Sequence, residues 1–100
     1  AGTVQYRSKS ANYTVAADDY IIGVAPTGSF VLGLQAASSA GTGRLLIVKD
    51  VGGTAGTNNI TIEPNGSEKI DGQLRLVIAE NSGSVTIFCD GSNYFVAGTR

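Results

Sequence analysis

Histidine, methionine and tryptophan are absent from these 100 residues, and cysteine occurs once, as Cys89. Without histidine there is no imidazole base for a catalytic triad or dyad, so the many serines have no such partner to activate them. One cysteine makes no intrachain disulfide, and alone it cannot build a zinc site. A reducing assembly compartment is therefore expected, and a lone thiol in an apolar strand reads as packing. Charge is scarce and balanced: seven basic and eight acidic residues give a net charge of −1 with no basic stripe, which argues against a nucleic-acid partner. No apolar run approaches the roughly 20 residues that span a bilayer, so no membrane partner is expected. The start, Ala1-Gly2-Thr3-Val4, has no apolar signal core, and Ala1 reads as a mature start after loss of an initiator Met. Three Asn-x-Ser/Thr matches, at Asn12, Asn59 and Asn65, carry no meaning without secretion.

What is present is alternation. Hydrophobic residues make up 42% of the chain, enough for one core, and 14 glycines against two prolines suit many turns between short strands. Tyr13 and Val15 share one face, as do Tyr20, Ile22 and Val24, then Phe30, Leu32 and Leu34. Leu45 and Ile47 oppose Leu46 and Val48, so this strand reads as buried on both faces. Ile60 and Ile62, then Leu74, Leu76 and Ile78, then Val85, Ile87 and Cys89, and lastly Tyr94 and Val96 continue the pattern. Turn residues separate them: Pro26-Thr27-Gly28, Ser38 to Gly43, Gly52 to Asn59, Pro64-Asn65-Gly66, Asp71-Gly72, Asn81-Ser82-Gly83 and Asp90-Gly91. Leu34 to Ala40 could hold one helical turn, but its serines and nearby glycines favour a loop. About eight short strands so spaced predict an all-β domain, a sandwich or small barrel, with a small antiparallel sandwich of jelly-roll type preferred. It spans residues 11–100, behind an N-terminal arm at residues 1–10 that reads as an extended arm or an edge segment outside the core. A strand apolar on both faces needs two covers, and in a thin domain one of them is another subunit, so an oligomer is expected.

Candidate chemistry is sparse. The carboxylates Asp18, Asp19, Glu63, Glu68 and Asp71 would serve a glycosidase only as a pair flanking a groove. Each reads instead as a turn residue or an outward strand position. Asp18, Asp19 and Asp50 are oxygen donors for a hard cation, yet no EF-hand pattern accompanies them. The loop Gly52-Gly53-Thr54-Ala55-Gly56-Thr57 lacks the Gly-Lys-Ser/Thr ending of a phosphate cradle and precedes a strand. Tyr6, Tyr13, Tyr20 and Tyr94 are amphipathic rings suited to a binding surface, although Tyr20 and Tyr94 alternate in phase with the core. No catalytic residue, metal site or cofactor is assigned.

Gly43 to Gly53, with Arg44-Leu45-Leu46-Ile47-Val48-Lys49-Asp50-Val51 at its centre, and Asn59 to Gly72, containing Glu63-Pro64-Asn65-Gly66-Ser67-Glu68-Lys69-Ile70-Asp71, resemble small β-domains of tailed-bacteriophage virions. Tyr13-Thr14-Val15-Ala16-Ala17-Asp18-Asp19-Tyr20 resembles their opening, and Gly83 to Val96 their closing strand pair. The likeness runs over residues 13–97. It implies either a capsid decoration (cement) protein or the terminal domain of a tail fibre or spike, in both cases often a homotrimer. An intertwined β-prism trimer is the alternative architecture. A domain with only a short arm and no shaft favours decoration. On that expectation the trimer sits on the outer surface of the virion capsid, after assembly in the host cytoplasm, and bridges copies of the major capsid protein without catalysis. The arm, through Val4, Tyr6, Arg7 and Lys9, binds the shell as an added strand, with Arg7 and Lys9 pairing to capsid carboxylates. The alternative is a receptor-binding module that reads host glycan or protein through loops 36–43 and 52–59.

Overall fold

Successive strands of this chain alternate between two sheets, and that winding decides everything else about the fold. In the computed structural model, which describes residues 3–99, the first six strands are β1 (Tyr6–Lys9), β2 (Tyr13–Thr14), β3 (Ile21–Val24), β4 (Phe30–Gly33), β5 (Leu45–Asp50) and β6 (Ile60–Glu63). Odd-numbered strands lie in one sheet and even-numbered strands in the other. A chain that leaves a sheet and returns one turn later runs in its original direction. The pairs β1–β3, β3–β5, β2–β4 and β4–β6 are accordingly parallel. The register repeats along the coil, Tyr6 beside Ile21 beside Ile47, and Tyr13 beside Leu32 beside Ile62.

Three more strands close one end. β7 (Leu76–Ile78) runs antiparallel to β6, β8 (Ser84–Cys89) runs antiparallel to β5, and β9 (Tyr94–Thr99) forms a hairpin with β8, bulged at Thr86 and Ile87. The result is a five-stranded sheet in the order β1-β3-β5-β8-β9 and a four-stranded sheet in the order β2-β4-β6-β7. The all-β class holds, and the expected antiparallel arrangement is corrected to two mixed sheets. Period-two alternation reports which face a residue takes, not the direction of its neighbour strand, so the parallel coil leaves no mark in the pattern.

The inward rows meet in one core. From the five-stranded sheet come Ile22, Val24, Leu46, Val48, Val85, Ile87, Cys89 and Tyr94; from the other come Phe30, Leu32, Ile60, Ile62 and Ile78. Residues such as Ile22, Ile60 and Ile62 are fully enclosed, and each buried side chain of this size stabilises the fold by about 1.5–3 kcal/mol. Two details depart from the alternation read in the sequence. Leu74 is exposed and lies outside β7, and a short helix, α1 (Ala37–Ala40), occupies the stretch expected to be a loop. That turn forms because the Glu68 carboxylate, from the far side of β6, accepts the Ala37 N–H (3.0 and 3.2 Å to its two oxygens). Nothing local in the sequence announces such a partner.

Residues 1–10, expected as an extended arm or an edge segment, carry β1, which pairs with β3 as an edge of the five-stranded sheet; Ala1 and Gly2 lie outside the described residues. Among the described residues no helix is long and apolar enough to cross a membrane.

Candidate docking face

The two sheets present different outer faces, and the difference is set by the residues that alternate with the core rows. On the four-stranded sheet the outward positions are Thr14, Val31, Gly33, Thr61, Glu63 and Val77, small or polar for the most part. On the five-stranded sheet they are Tyr6 and Ser8, Ile21 and Gly23, Leu45, Ile47 and Lys49, Ser84, Thr86 and Phe88, and Phe95. Only Lys49 is charged among these, and its ammonium is turned to the Ser82 carbonyl. Across the register Tyr6, Ile21 and Ile47 form one row, and Leu45, Phe88 and Phe95 another. Phe88 and Phe95 stack with ring centroids 5.5 Å apart, and Phe88 is still 38% exposed. Tyr6 folds over Gly23, where any Cβ would collide with its hydroxyl, so the glycine gives the ring a place to lie flat.

The edge at β1 is closed to further strands by its charges. Arg7 and Lys9 are in register with the inward residues Ile22 and Val24, so they point between the sheets and not away from them. The Arg7 guanidinium donates through Nε to Asp19 Oδ1 and through Nη2 to Asp18 (3.3 Å). Asp19, 1% exposed, also accepts the Tyr13 hydroxyl (2.6 Å) and the Ala16 N–H (2.8 Å). Lys9 sits 4.3 Å above the Tyr13 ring. Burial alone would raise the pKa of Asp19, but the Tyr13 hydroxyl, the Ala16 N–H and Arg7 together outweigh it and hold the carboxyl below its usual range. Inward-pointing charge on an edge strand is a known barrier to edge-to-edge pairing. Of the four arm residues singled out in the sequence, Val4 and Tyr6 are each 52% exposed, while Arg7 and Lys9 are engaged within the chain.

The opposite edge is guarded differently. Asp71 and Gly72 both have positive φ (50° and 77°), the type I′ geometry that Asp-Gly favours, and the turn sets Asp71 Oδ1 on the Val96 N–H at 3.1 Å.

The remaining sequence candidates hold structure. Asp50, 1% exposed, follows Leu46 and Val48 in the inward row and accepts the N–H groups of Gly53 (2.9 Å), Ala55 (2.8 Å) and Ser82 (2.9 Å). Its pKa is also depressed: burial pushes it up, and the backbone donors of Ala55, Ser82, Gly53 and Thr54 push it further down. The glycine-rich loop is thus folded around its own carboxylate. Tyr94 is buried and donates to the Gln35 carbonyl (2.9 Å), and Cys89 is buried beside Ala37. Among the described residues no three His, Cys, Asp or Glu side chains gather to hold a metal ion. A cavity of about 200 Å³ opens between β7 and the β8–β9 end, lined by Leu76, Val77, Ile78, Glu80, Val85 and Thr99, among others.

No protein-family model and no curated protein matches the chain.

Proposed function

We propose that this chain is a structural protein of a tailed-phage virion, a decoration or cement protein that stabilises the head by bridging capsid subunits, and that it makes no or breaks no bonds in doing so. The observation that carries the reading is the contrast between the two outer faces. A largely apolar face, whose one charged side chain, Lys49, is turned to the Ser82 carbonyl, is what a protein partner covers, and the more polar face opposite is what solvent meets. The virion setting rests on the sequence resemblance. In this reading the two sheets act as the layers of a small sandwich, and three copies form a homotrimer.

Size supports a multivalent attachment over a single one. Strands about 4.8 Å apart with about 3.3 Å per residue make the five-stranded face roughly 20 Å on a side, near 400 Å². A stand-alone interface takes about 800 Å² per partner, so one such face holds weakly and a symmetric set of them holds well. Val4 and Tyr6 extend this face at its β1 side and supply the arm's contact with the shell, while Arg7 stays with Asp19.

Labelled antibody on particles from the source of the sequence tests the location: signal on heads is expected. Signal on tails would favour the second reading, a tail-fibre module that recognises a host surface glycan or protein. One feature favours it, the 51–59 loop held rigid by Asp50, since recognition loops work best on a fixed scaffold. Light scattering tests the assembly: a trimer is expected, and an Ile47→Lys variant that is still a folded trimer but no longer binds capsids would support attachment through the apolar face.

A further inference from the structure

We propose that Asn65 is a self-modifying site, at which the chain converts its own asparagine to an aspartyl or isoaspartyl residue and so acquires a negative charge after folding. The chain has six asparagines, and the fold holds five of them by the side chain. Asn12 Oδ1 accepts the Val31 N–H (2.9 Å), Asn81 Oδ1 accepts the Gly56 N–H (2.9 Å) and Asn93 Oδ1 accepts the Lys69 N–H (2.9 Å). The Nδ2 groups of Asn58 and Asn59 donate to the carbonyls of Pro26 (3.2 Å) and Ala55 (2.7 Å). Asn65 is exposed in the turn after β6, and among the described residues its side chain has no hydrogen bond. It alone precedes a glycine, and Gly66 has nothing within 4 Å of where a Cβ would stand. The two Asp-Gly pairs are held as well, Asp71 on the Val96 N–H and Asp90 on the Ser92 and Asn93 N–H groups.

The chemistry needs only that freedom and water. The Gly66 backbone nitrogen attacks Asn65 Cγ and gives up its proton; a new N–C bond forms and the side-chain nitrogen leaves as ammonia. Water then opens the cyclic imide at either carbonyl, giving aspartate or, with the main chain rerouted through the side chain, isoaspartate. A residue after asparagine with a Cβ hinders the ring closure, and a held side chain must first break its hydrogen bond, which slows it about fivefold or more.

The site is placed to matter. The Asn65 carbonyl accepts the Glu68 N–H (3.0 Å), and the Glu68 carboxylate is the group that holds the first N–H of α1. Rerouting the main chain at Asn65 adds a backbone atom to this turn, and the new charge sits near Glu68, so modification loosens α1 from the turn after β6.

Purified protein held at neutral and at mildly alkaline pH, with the products resolved by anion exchange and peptide mass spectrometry, tests the proposal. The expected result is a more acidic species that accumulates faster at the higher pH, releases one ammonia per chain and carries isoaspartate at Asn65 alone. Asn65→Gln and Asn65→Ser variants should not form it, and the Ala37 amide should exchange faster in the acidic form than in fresh protein. Absence of the acidic species, or modification spread equally over the other asparagines, would overturn the proposal. Unchanged exchange at Ala37 would overturn the link to α1.

Discussion

Replacing Asp50 with alanine should come close to unfolding the protein, because a network of backbone N–H groups depends on its carboxylate. Its carboxylate satisfies three backbone N–H groups, those of Gly53, Ala55 and Ser82, and ties the 51–59 loop to the turn before β8. Ala55 is fully buried, so its N–H would be left without water; Gly53 and Ser82 are half-buried and can recover part of their loss from solvent. At about 2 kcal/mol for the first and about 1 kcal/mol for each of the others, Asp50→Ala costs about 4 kcal/mol. Against the 5–15 kcal/mol typical of a domain this is a large share, and for a chain of this length it lowers Tm by roughly 20 °C. Asp50→Asn keeps the shape and one acceptor oxygen but sets an amide against an N–H, and should cost about half as much. Urea denaturation followed by circular dichroism gives both values. Asp50 has a folded pKa below its unfolded value, so its stabilisation is present above about pH 4 and is lost as the pH falls through the depressed pKa. The acid-induced loss of stability should therefore be smaller in Asp50→Asn than in the wild type. An Asp50→Ala protein within about 0.5 kcal/mol of the wild type would refute the assignment, because that is the range of an unremarkable surface change.

Asp19→Asn should weaken the seating of β1, seen as faster amide exchange in Tyr6–Lys9 while the β5–β8 amides stay protected. Tyr94, its pKa pushed up to about 12 by burial first and by Cys89 and Glu68 after that, stabilises the fold fully below its unfolded pKa of about 10. That stability is lost as the pH climbs from about 10 towards 12, so alkaline unfolding should begin in this window and be blunted in Tyr94→Phe, as read by circular dichroism against pH. Ile62→Ala, which opens a cavity at a fully buried position of the inward row, should cost about 2–5 kcal/mol in the same urea assay.

How much of this was legible in the sequence depended on whether the signal was local. Val24, Ile60, Ile62 and Val85 alternate with polar or small neighbours, and every one is buried where the alternation puts it. Direction was not legible, because parallel pairing arises from which sheet the chain returns to, and the connections between turns of the coil differ too much in length to show as a repeat. α1 was missed because its support, Glu68, comes from 31 positions away. Asp50 could have been found: it is in phase with Leu46 and Val48, and an acid in an inward row just before Gly52-Gly53 is a carboxylate that needs N–H donors. Asp19 gave no such sign, since its partner Arg7 is 12 positions earlier and belongs to a segment read as an arm. The apolar outer row was half visible in Leu45 and Ile47, whose strand read as buried on both faces; Phe88 and Phe95 joined it only once the strand order was known.

In the proposed function, the outer face of the five-stranded sheet is where this protein meets other protein. Chemical footprinting of the free and the assembled protein, read residue by residue over both sheets, measures it directly. Ile47, Phe88 and Phe95 should lose their labelling on assembly while Thr61 and Val77 keep theirs. Persistent labelling of Ile47 and Phe88, with protection on the four-stranded sheet instead, would contradict it.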